Sequence, residues 1–139
     1  MKVNELRIGN FILNSNGKIE VVETLRYGLI NSYDIGDEET CGEDCYNPIP
    51  LTEEWLVKMG FEIDRTGDLS IMINSAVTHL FFNKVKDFFY PMILVEAEFS
   101  GLGSNCVGLN SIQYVHQLQN LYFALTGEEL IFTPCQSVS

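Results

Sequence analysis

From Leu6 to Ser100 the chain runs in short apolar and polar alternations broken by Gly and Asn, the pattern of strands joined by tight turns. Leu6–Leu13 is apolar-rich with a break at Gly9-Asn10, and Asn16-Gly17 in the following Asn14–Gly17 stretch is a strong hairpin-turn dipeptide. Lys18–Leu25 carries β-branched Ile19, Val21 and Val22, and Leu29–Tyr33 follows after a second break at Tyr27-Gly28. Three short strands so connected predict an antiparallel meander over residues 1–33, bent enough to form a small barrel. Phe61, Ile63, Leu69, Ile71 and Ile73 alternate with polar residues around a Thr66-Gly67-Asp68 break, which predicts a second hairpin. His79–Asn83 reads as a further strand. Phe88–Phe99 is another, and Pro91 within it predicts an edge position or a bulge, because proline has no N–H to give a ladder. Leu130–Phe132 reads as a last short strand, followed by a loose tail over residues 133–139.

Two stretches carry helical spacing instead. In LTEEWLVKMGF, Thr52 is a good N-cap, Glu53 and Glu54 suit the first turn, and Gly60 is placed to end a short helix whose apolar stripe is Trp55, Leu56 and Met59. In HQLQNLYFALTG, Leu118, Leu121, Tyr122 and Leu125 fall on one face and Gly127 takes the terminating position. The opposite face holds His116, Gln119, Asn120 and Phe123, so this side is expected to be covered too, within the same domain or by a partner. The predicted class is α+β in a single domain, 1–139: a meander or small barrel (1–33), an acidic loop (34–47), an α+β remainder (48–132) with one short helix and a C-terminal amphipathic helix packed on the sheet, and the tail.

Length supports one core: 139 residues bury roughly two-thirds of their unfolded surface. No apolar run reaches the ~18 residues of a membrane helix, and the N-terminus has no apolar leader segment. Both point away from a membrane and towards the cytoplasm.

Charge changes the picture more. The net charge of −11 lacks the cationic footprint of a nucleic-acid binder. Residues 27–57 hold eight acidic groups and no basic one, concentrated at Asp34, Asp37, Glu38, Glu39, Glu43 and Asp44. Such a run either solvates a turn or offers a docking surface to a basic partner, including as a mimic of nucleic-acid charge.

Candidate chemistry is sparse. Cys41 and Cys45 form CGEDC, a C-x3-C knuckle without a second one, so neither a metal nor any other cofactor is expected, and the four cysteines are read as reduced thiols. Nearby carboxylates raise a thiol pKa and disfavour a catalytic thiolate there. Gly101–Gly108 (GLGSNCVG) reads as a flexible loop that lacks the third glycine of a phosphate cradle and the Lys-Ser/Thr of a P-loop. Cys106 and His116 could pair, but no local signature of a nucleophile, zinc or hydrolase motif surrounds them. The expectation is a protein that is not an enzyme.

The blocks NELRIGN, IPLTEEWLVKMGF and YVHQLQNLYFALTGEEL, 37 of the 139 residues, occur in this order. With them the chain resembles a family of small uncharacterised proteins of gut-type bacteria, their prophages and their phages. CGEDC and GLGSN are not part of that pattern. The resemblance implies a mobile-element setting and a shared scaffold, and it carries over no activity and no site residues. The expected function is that of an accessory protein acting by protein–protein binding through the acidic stretch and exposed strand edges, with homo-oligomers left open. The alternative is a small-ligand or nucleotide-signal sequesterer in host–phage conflict, with a pocket between helix and sheet and His116, Gln119 and Asn120 as its polar contacts.

Overall fold

The structure is a computed structural model, and it describes residues 3–26, 29–34, 37–42, 45–63, 67–73, 78–95 and 105–130. The class is α+β. The contacts group the chain into two compact units: residues 1–50 with 114–121, and residues 51–113 with 122–139.

The first unit begins with a 3-10 turn at Val3–Glu5 and then a four-stranded antiparallel sheet, ordered β1-β2-β3-β4. Its strands are β1 (Phe11–Leu13), β2 (Ile19–Arg26), β3 (Leu29–Asp34) and β4 (Asp37–Gly42). Neighbours in sequence are neighbours in the sheet, so the predicted meander is present with one strand more. Asn14 makes the first turn: its Oδ1 accepts the N–H groups of Asn16 and Lys18, both at 2.9 Å, and Gly17 takes φ +79°. Leu6, Ile12, Val22 and Tyr46 form the core of this unit.

The acidic stretch is not simply a loop, because Asp37–Gly42 pairs residue for residue with β3, from Leu29↔Gly42 to Asp34↔Asp37. Its composition disfavours a strand, but β-propensity is weak beside the backbone pairing a neighbouring strand offers.

The second unit is a five-stranded antiparallel sheet, ordered β5-β6-β7-β8-β9, with the short helix α1 (Glu53–Lys58). The strands are β5 (Glu62–Ile63), β6 (Leu69–Met72), β7 (Thr78–Val85), β8 (Phe88–Val95) and β9 (Asn105–Gly108). Thr52 caps α1 as predicted, its hydroxyl accepting the Trp55 N–H at 3.2 Å. Gly60 closes the helix at φ +95°, with its N–H on Val57 O and the Phe61 N–H on Leu56 O. Leu56, Met59 and Phe61 are buried, as are Leu80, Phe82 and Phe89 of the sheet, and the Phe82 ring meets those of Phe61 and Phe89 at 5.5 and 6.1 Å.

Two expectations are corrected in this unit. Asn105–Gly108 is strand β9 rather than the end of a loop; it pairs with Met92–Val95. Pro91 lies in a strand with neighbours on both sides rather than at an edge. Its carbonyl accepts the Leu109 N–H at 2.9 Å, and a residue's N and O face the same neighbour, so its nitrogen points just past the end of β9, in the irregular stretch before Phe89 exchanges hydrogen bonds with Ile112.

The second helix, α2 (Val115–Thr126), has its residues up to Leu121 in the first unit and those from Tyr122 in the second. Gly127 ends it at φ +73°, donating to Phe123 O at 2.7 Å. Of the strand expected at Leu130–Phe132 only Leu130 is described, buried and outside any strand; the tail lies outside the described residues.

Candidate functional site

Helix α2 begins at Tyr114, whose carbonyl accepts the N–H groups of Gln117 and Leu118. The Gln117 side chain reaches back and accepts the Tyr114 N–H at 3.1 Å, half of a capping box. One turn in, Gln119 and Asn120 meet the loop between the 3-10 turn and β1. Gln119 Oε1 accepts the Phe11 N–H at 2.8 Å, and its Nε2 donates to the Gly9 carbonyl at 3.1 Å. Asn120 Nδ2 donates to the Glu5 carbonyl at 2.9 Å.

Between the two amides sits Asn10, 0 % exposed. Its Nδ2 donates to Asn120 Oδ1 at 2.9 Å and lies 3.5 Å from Gln119 Oε1, while its Oδ1 accepts the Arg7 N–H. Gln119 and Asn120 thus serve backbone groups across 108 to 115 residues of sequence, while Asn10 serves Arg7 beside it and ties itself to the two other amides. This is the expected use of buried amides, which otherwise leave polar atoms without partners.

His116 belongs to the same cluster and is fully buried. Its ring lies parallel to that of Tyr114, centroids 5.8 Å apart. Among the described residues neither ring nitrogen has a hydrogen-bond partner, and Nε2 is 3.8 Å from Oε2 of the half-exposed Glu5. Burial pushes its pKa below the ordinary histidine value; the Glu5 carboxylate opposes that shift and the positive chain terminus adds to it.

The structure therefore brings His116, Gln119 and Asn120 together, around Asn10, which sequence reasoning treated only as part of a strand break. Asp37, Glu38 and Glu39 fall on another element, β4, and Glu43 and Asp44 lie outside the described residues. Cys45 is disulfide-bonded, where reduced thiols were expected, and Cys106 is a free, exposed thiol on β9. Among the described residues no group of three His, Cys, Asp or Glu side chains could hold a metal ion, and no helix is long and apolar enough to cross a membrane.

No protein-family model, curated protein or solved structure matches the chain.

Proposed function

We propose that this protein is a non-enzymatic accessory protein of phage or prophage origin that works by binding another protein, and that it does so through β4. One observation carries the reading: the acidic run of Asp37, Glu38 and Glu39 lies on the terminal strand of the first sheet, which pairs with β3 alone among the described strands. A terminal strand offers a row of backbone donors and acceptors, and carboxylates along it repel a second acidic edge. The partner suited to it is an extended basic segment that adds to the edge and neutralises the run. The mobile-element setting rests on the three sequence blocks.

The test is affinity capture from bacterial host lysate on the tagged full chain, repeated with Asp37→Asn, Glu38→Gln and Glu39→Gln combined. A basic protein retained at low salt, released as salt is raised and lost with the triple variant supports the proposal. Retention that ignores both salt and the substitutions, or no specific retention, overturns it.

A further inference from the structure

The segment FFYPMILV of β8 is apolar at every position, the composition of a strand buried on both faces. Only one of its faces is buried. Phe89 and Pro91 lie on the side that includes Leu80 and Phe82, whereas Phe88, Tyr90, Met92 and Leu94 alternate onto the other.

The register extends that second face across the sheet. Met92 stands opposite Phe81, which stands opposite Ser70, and Ser70 is opposite Glu62. Leu94 stands opposite His79, and His79 opposite Met72. On the far side Met92 meets Gly108, where an added Cβ would lie 4.0 Å from the Met92 methyl. Not one of these side chains is buried; Met72 is 61 % exposed, Val85 55 % and Tyr90 39 %.

We infer that this outer face seats the same face of a second copy of the chain, sheet on sheet. Three observations select that occupant. First, a sheet face that is mostly apolar and unburied, with Ser70, His79 and Asn83 (opposite Tyr90) as its neutral-type polar positions, marks an interaction surface, unlike scattered exposed side chains. Second, among the described residues this face carries a single acidic or basic side chain, that of Glu62 on the terminal strand β5, in a chain of net charge −11. A basic partner finds almost nothing there to pair with, while two copies of this acidic chain meet with least repulsion at this face. Third, the size fits: the two to eight residues of each of the five strands, at about 3.3 Å per residue and 4.8 Å between strands, cover roughly 400 Å² in projection. Side-chain relief brings the accessible area towards the ~600 Å² per partner at the lower end of what specific dimers bury. The arrangement is a two-fold, self-complementary contact with the sheets about 10 Å apart. It is independent of the proposed role of β4, which lies in the other unit.

Sedimentation equilibrium of the full chain across the micromolar range tests this. The expected mass is twice 15.7 kDa at the upper end, falling towards one copy on dilution. Tyr90→Lys, and separately Met72→Lys on another strand, each weaken the dimer by tenfold or more while the circular dichroism spectrum is kept. Val57→Lys, on the exposed side of α1, leaves it unchanged. A chain that stays monomeric at every concentration, or a dimer that survives both lysine variants with their folds intact, overturns the inference. Should one variant unfold, the other decides.

Discussion

His116 has no hydrogen bond on either ring nitrogen among the described residues, so its buried ring is comfortable only when neutral. Its pKa is lowered in the folded chain, so between the ordinary value near 6.5 and the folded one the unfolded state binds more protons. Stability is therefore full above about pH 6.5 and falls as the pH drops through that window, by the contribution of this group. The Glu5 carboxylate, 3.8 Å from Nε2, softens the loss. Urea unfolding at pH 7.5 and 5.5 should show a smaller acid-side loss for His116→Phe than for the parent. Gln119→Ala should act without pH dependence, leaving the Phe11 N–H and the Gly9 carbonyl without their partners at a cost of about 2–4 kcal/mol, read from the same unfolding curves. The sequence singled out Gln119, Asn120 and His116 as polar residues on a face with Phe123. It could not supply their acceptors and donors, because Gly9, Phe11 and Glu5 lie more than 100 residues away and no local spacing records them.

Elements whose signals are local were the legible ones. Thr52, Gly60, Asn16-Gly17 and Gly127 each act within a turn of where they stand, and each does in the structure what its residue type dictates. Gly127→Ala puts a Cβ into open space but into a left-handed backbone, so the full cost is conformational, about 1–2 kcal/mol, and thermal unfolding should register it. Elements settled by pairing were the ones read differently. Asp37–Gly42 and Asn105–Gly108 are strands because β3 and β8 present ladders to them, not because their own residues favour extension. In α2 the apolar spacing pointed to Leu118, Leu121, Tyr122 and Leu125. The residues most buried are Val115, His116, Leu118 and Gln119: hydrogen bonding to a distant segment draws Gln119 inward, and the His116 ring packs parallel to that of Tyr114.

Over the whole molecule the α+β class was readable from the two periodicities, while the division into two compact units was not, as no composition shift marks residues 50 or 114. The uneven charge has a consequence at this scale. With eight acidic groups and no basic one over residues 27–57, self-repulsion opposes folding and added salt screens it. The melting temperature should rise with sodium chloride, and should rise less for the combined Asp37→Asn, Glu38→Gln and Glu39→Gln variant. The amides of α2 bear on how the chain is made. Glu5, Gly9, Asn10 and Phe11 emerge early from the ribosome, yet the groups that complete their bonding, at positions 119 and 120, are translated more than 100 residues later. The first sheet must wait, its loop unclasped, until the helix has left the exit tunnel, so an arrested nascent chain that ends before Gln119 should remain protease-sensitive around residues 5–11.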